Sequence, residues 1–237
     1  MSKIKTYRSG KIHTITAVAL FTALAYVCCV VFHFKVSFLS FDLKDAVMAL
    51  GAMLLGPLWG LAMVAAVALI EFATISSTGV YGLIMNLISS GIFVCLGSMI
   101  YSLKRTMKGA VAGMSASVLG TTGAMMLANL FITPFFMTAT TGNTVTTEQI
   151  AEMIPVLFLP FNLTKTVFNA AIVFILYTPV SKAMRFAGFS TGAQGSEAGK
   201  SKKVTVIVTV TAAVIAAAAL VYFFVVLKGS FSLELKK

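Results

Sequence analysis

The chain has 237 residues, 59% of them hydrophobic and only 11% charged, with a mean hydropathy of +0.98. A soluble domain carries about 25% charged residues, so a water-covered globular fold is excluded. The net charge of +11 sits in short segments between apolar runs, which reads as the bias of membrane loops and excludes a nucleic-acid partner.

Apolar stretches of about 20 residues recur along the length, each able to cross a ~30 Å hydrocarbon core. Lipid offers no hydrogen bonds, so spanning segments are helices or a closed barrel. The runs are continuous rather than alternating, and the expected class is an all-α integral membrane protein. The basic start MSKIKTYRSGKIH precedes a run too long for a signal peptide, with no clean cleavage site, so 12–32 is the first helix. A polar-spotted loop follows, with His33, Lys35, Ser37, Ser40 and Asp42. The second helix, 43–55, stops at the breaker Gly56-Pro57, and the third covers 58–73. Both are short for a full span, so they tilt or one is shielded by protein. A loop rich in Ser, Thr and Gly leads to helix 82–103, followed by Lys104, Arg105 and Lys108. Helix 109–137 is rich in small residues suited to close packing. A polar loop with Glu148 and Glu152 precedes helix 153–178, and Lys182 and Arg185 follow it. The expected division is a six-helix core at 1–187, a flexible linker at 188–203 and an extra segment at 204–237. Within that segment, 204–227 forms a seventh membrane helix.

With the N-terminus inside the cell, six crossings put twelve of the eighteen basic residues on the cytoplasmic face. The loop with Glu148 and Glu152 then falls outside, and the seventh helix leaves the short tail outside. The expected location is the cell membrane, multi-pass.

Polar side chains inside membrane segments are costly and mark a site or pathway. Glu71, Asn86, Asn129, Asn162 and Lys165 all fall at similar depth on the outer side of this topology. Glu71 either lines a site or sits at the outer water interface. Lys165 either lines a site or snorkels outward along its stem. Each lone Asn is equally readable as an interhelical hydrogen bond. Asn162 and Lys165 share one helical face by their i, i+3 spacing, just past Pro155 and Pro160. Prolines there free backbone carbonyls, which membrane helices tolerate where they line a cavity. In the first helix Ala19 and Ala23 lie four apart, leaving a shallow strip for another helix or for internal packing.

Catalytic and metal signatures are missing. There is no H-E-x-x-H, no Cys/His cluster and no Ser-His-Asp set. Cys28, Cys29 and Cys95 lie in apolar runs as packing residues. Ala198-Gly199-Lys200-Ser201 echoes a phosphate loop, but Gln194 stands where its first glycine belongs and no strand precedes it. No enzyme activity, cofactor or metal is expected, and any ATP hydrolysis falls to other subunits.

Phe41-Asp42-Leu43-Lys44-Asp45 and Leu55-Gly56-Pro57-Leu58-Trp59-Gly60 resemble the F-D-L-x-D … G-P-x-x-G segment of substrate-binding (S) subunits of energy-coupling factor (ECF) transporters. Leu159-Pro160-Phe161-Asn162-Leu163-Thr164-Lys165 is similar to the L-P-F-N-x-x-K motif of the riboflavin type. Asn129-Leu130 and the loop Ser76-Ser77-Thr78-Gly79 fall at matching places, and the resemblance covers about 12–185. It implies a six-helix core with an external pocket closing over riboflavin, carried rather than held as a cofactor. The pocket would use Asn129, Asn162, Lys165, Glu71, Asn86, Thr78 and Gly79. It also implies docking through Ala19 and Ala23 on a transmembrane energising subunit that works with two ATPase subunits. The segment 204–227 departs from the six-helix pattern. Two other readings remain open: a carrier for another small vitamin or precursor, and a membrane scaffold whose polar residues join helices.

Overall fold

The computed structural model describes residues 11–32, 34–188, 202–227 and 230–231. His33, the basic residues Lys3, Lys5 and Arg8, and the linker from 189 to 201 with Gln194, Gly199, Lys200 and Ser201 lie outside the described residues. The chain order is α1 (Lys11–Val31), β1 (Phe34–Val36), β2 (Leu39–Phe41), α2 (Lys44–Leu55), α3 (Pro57–Thr74), α4 (Gly79–Leu103), α5 (Met107–Thr141), α6 (Thr147–Met153), a π-helical turn (Ile154–Phe158), α7 (Leu159–Phe186), α8 (Lys202–Val225) and β3 (Ser230–Phe231). The fold is nearly all helical. Among the described residues, six helical stretches are long and apolar enough to cross a membrane: α1, α3, α4, α5, the joined run Thr147–Phe186, and α8.

The seventh, α2, has 12 residues, about 18 Å of helix, and 11 of them are buried. It is the shielded one of the two short helices, enclosed by α1, α3, α4 and α7. The core gathers around it, with Met48, Leu50 and Met53 against Phe21, Met63, Val64 and Phe93. α2 ends at Gly56, whose φ of 119° an L side chain rarely adopts, and Pro57 opens α3 where a missing N–H costs nothing. α4 and α5 meet backbone to backbone: a Cβ on Gly113 would lie 2.6 Å from the Gly97 carbonyl oxygen. That is the close approach expected of small residues. Cys29 is buried, Cys28 and Cys95 are half-buried, and all three thiols are free.

Helix ends differ from expectation for local reasons. α5 runs on to Thr141 because Thr140 and Thr141 donate to the carbonyls of Phe136 and Met137 (2.7 and 2.8 Å), hiding their hydroxyls within the helix. It closes at Gly142, φ 72°. The stretch expected as one helix from 153 is preceded by α6, which Thr146 and Gln149 cap reciprocally. The π-helical turn then carries Pro155, and Pro160 opens α7. α7 continues through Pro179 to Phe186.

The loop after α1 is a hairpin rather than irregular chain. β1 and β2 pair antiparallel, Phe34 opposite Phe41 and Val36 opposite Leu39, around Ser37-Phe38, with Ser37 at φ 55°. β3 pairs on the other side of β1, Phe34 opposite Phe231. The end of the last helix therefore returns to the hairpin. α8 packs on α7 through Ala212, Ala216, Ala219 and Phe223, and Phe223 stacks 4.5 Å from Phe41. Alternating helices thus give two ends: a hairpin face, and a basic face carrying Lys104, Arg105, Lys108, Lys182 and Arg185.

Candidate functional site

A cavity of about 100 Å³ lies at the hairpin face among α3, α4, α5, α7 and the hairpin. Glu71, Thr78, Asn86, Asn129, Asn162 and Lys165 all line it. Six of the seven expected site residues, from five segments of sequence, are therefore brought together. Gly79 is not on the wall; it opens α4 at φ 60°, a backbone shape that suits glycine.

Asn162, Lys165 and Asn169 recur at i, i+3 and i+7 on α7, one inward face. Lys165 does not snorkel: its side chain is 7% exposed, and its Nζ donates to Asp42 Oδ2 and the Ser40 carbonyl, both at 3.1 Å. Asp45 Oδ2 lies 3.9 Å away. Nor does Glu71 sit at a water interface, since its carboxylate is buried and paired with the Lys44 ammonium. Lys44 also faces Asp42 at 3.7 Å, and Ser90 donates to Asp45. Three carboxylates and two ammoniums thus form one buried cluster beside the cavity. Burying any of these ions alone would be very costly; paired and hydrogen-bonded they are tolerated.

The Asn129 amide donates to the Met125 carbonyl at 2.7 Å and accepts from Thr133 at 2.9 Å. Asn162 donates to the Phe158 carbonyl, 2.8 Å, at the π-helical turn. Each keeps part of its amide uncommitted within hydrogen-bonding reach of the cavity. Phe38, Tyr81, Met85, Met125, Phe136 and Phe161 supply apolar and aromatic lining to the same cavity. Phe38, at the hairpin tip, packs against Phe136 and Phe158 at 5.8 and 6.1 Å, closing the cavity from the hairpin side.

The ionic role of Asp42, Lys44 and Asp45 was not legible in the sequence, where Asp42 reads as a loop residue and all three as part of a family motif. Asn169 was missed as well. That amide accepts from the Ala46 N–H (2.9 Å) and donates to the Asp42 and Lys165 carbonyls (3.0 Å each). Its position four residues past Lys165 was the available signal. Ala19 and Ala23 are both exposed, on the face of α1 opposite buried Ala17, Phe21 and Ala25. The strip they make is open, not used for internal packing.

Fold and site together define a multi-pass membrane protein with a one-sided polar and aromatic cavity. A solved structure described as "Structure and mechanism of the S component of a bacterial ECF transporter" superposes with a TM-score of 0.61 at 18% identity, covering 74% of this chain and 99% of that one. No curated protein matches the chain in sequence. The family model for the substrate-specific component of ECF transporters matches residues 13–177, and the chain belongs to that family. Such components are transporter subunits that work with an energising module of transmembrane and ATPase subunits.

Proposed function

We propose that the chain captures riboflavin at the outer face of the cell membrane and delivers it through an energising module of one transmembrane and two ATPase subunits. The observation carrying this reading is the composition of a single cavity. Amides and an ammonium (Asn86, Asn129, Asn162, Lys165) line the same cavity as aromatic rings (Phe38, Tyr81, Phe136, Phe161). A flat tricyclic ring with carbonyl and N–H groups at one edge suits that lining: aromatic side chains can take its faces and the amides its polar edge. The L-P-F-N-x-x-K stretch supplies two of the polar groups.

A drug-sized ligand needs roughly 300–1,000 Å³, more than the cavity of about 100 Å³ now encloses. Loading therefore requires the Phe38 tip and the Ser76-Ser77-Thr78 loop to move apart. Both are short connections at the cavity mouth, the kind of element that absorbs such a change. The basic face is assigned to the cytoplasm by the positive-inside bias, which puts the cavity outside. Ala19 and Ala23 are assigned to docking on the transmembrane energising subunit.

A second reading rests on Glu71, an acidic residue on the cavity wall. It favours a carrier for a small vitamin bearing a cationic group. Titrating the purified protein with riboflavin, following quenching of flavin fluorescence, separates the two. Saturable 1:1 quenching at submicromolar concentration supports riboflavin. Quenching absent at micromolar concentration, with thermal stabilisation by a cationic vitamin, favours the second.

A further inference from the structure

A second cleft, about 570 Å³, opens sideways between α5 and α8 with α7 as its floor. Val111 and Ser115 of α5, Ala170 and Phe174 of α7, and Ile207 and Thr211 of α8 mark its walls. Of all its lining side chains only Ser115 and Thr211 are polar. Small residues on α7 make the floor deep. The α5 and α8 residues involved belong to the halves of those helices nearer the basic face.

Helical register places three exposed cations over the same end. Lys108 lies seven residues, two turns, before Ser115 on one stripe of α5. Lys182 lies eleven residues after Ala171, and Arg185 eleven after Phe174, each on the same stripe of α7 as its cleft residue. α8 begins Lys202-Lys203 at that end too. No Asp or Glu stands among the described residues of the basic face; all the described acidic residues lie in the half toward the hairpin. Among the described residues, Lys108, Lys182 and Arg185 have no partner of opposite charge nearby.

We propose that this cleft binds one anionic phospholipid of the leaflet at the basic face, an acyl chain along α7 and the headgroup among Lys108, Lys182 and Arg185. The depth and apolar lining suit a hydrocarbon chain, and the cation collar suits a phosphate with net negative charge. A second copy of the chain would bring the same cations against these, so self-association through this face is repelled. The lipid would also fill the space beside α8, holding the extra helix against the core.

The test is native mass spectrometry of the full chain, released from detergent containing equimolar phosphatidylglycerol and phosphatidylcholine with identical acyl chains. One retained lipid is expected, with phosphatidylglycerol favoured about a hundredfold, because three basic residues attract its anionic headgroup. Filling the cleft with Ser115→Phe and Thr211→Phe, at two exposed positions, should abolish retention. Lys108→Gln with Lys182→Gln and Arg185→Gln should equalise the two lipids. The exposed charge variant also reads the proposal if the filled one fails to fold, and thermal melting identifies that case. Equal retention of the two lipids by the unaltered chain, retention unchanged in the filled and folded variant, or a dimer in place of a lipid adduct would overturn it.

Discussion

Lys165 reaches from α7 to Asp42, Nζ to Oδ2 at 3.1 Å, and so ties the helix that carries the cavity's amide and ammonium groups to the hairpin that closes it. Asp42 is fully buried, and the Ser40 carbonyl beside it accepts from the same ammonium. One contact thus links binding wall, lid and the start of the buried helix α2.

Lys165→Met takes from Asp42 the ammonium at 3.1 Å and from Asp45 the one at 3.9 Å, while Lys44 stays paired with Glu71. Removing one partner of a buried pair costs about 3–5 kcal/mol, whereas removing both partners costs much less. The melting temperature in detergent should therefore fall clearly for Lys165→Met and recover in part when Asp42→Asn is added. Equal melting of the single and double variants would show that the two groups are not coupled.

Asn169 accepts from the Ala46 N–H, one of the first-turn donors of α2 that no carbonyl within the helix can satisfy. Asn169→Leu strands that donor and removes the amide from the Asp42 carbonyl, while the Lys165 carbonyl keeps its helical partner, the backbone N–H of residue 169. A loss of about 1–3 kcal/mol follows, read as a lower midpoint in thermal unfolding. Asn169→Asp, which keeps the acceptor but buries a charge against two carbonyl oxygens, should lower the midpoint further than Asn169→Leu.

Ala19 and Ala23 form an open strip on α1. Replacing both with Phe should leave ligand affinity in detergent unchanged within about twofold, while uptake by cells that also make the energising subunits falls to background. A parallel loss of binding would place the strip inside the ligand site instead.

Phe38 closes the cavity through its contacts with Phe136 and Phe158. Phe38→Ala should speed ligand release about tenfold, roughly 1.4 kcal/mol of lost retention, with little change in association rate. Stopped-flow fluorescence resolves the two rates; a slower association with unchanged release would contradict a lid role.

The helices were readable because continuous apolar runs are a strong signal, and the cavity lining was legible because amides, an acid and a lysine from separate helices fell at one depth, although each alone had another reading. Asp42, Lys44 and Asp45 were not, because charges beside a short helix look like interface residues until α1, α3, α4 and α7 enclose them. The hairpin was hidden by its size: its strands have three residues each, below the length at which alternation shows, and its turn uses Ser37 at positive φ rather than a glycine. The π-helical turn left only an indirect trace in Pro155 and Pro160. The position of α8 depends on Phe223 meeting Phe41, a contact between distant segments that no local pattern encodes.

Riboflavin in this cavity is tested most directly by an absorption and fluorescence spectrum of the detergent-purified protein and of the small molecules it releases on denaturation. A yellow preparation that releases riboflavin is expected, and a colourless one for Lys165→Ala. A colourless unaltered protein that also fails to quench added riboflavin at micromolar concentration would contradict the riboflavin reading.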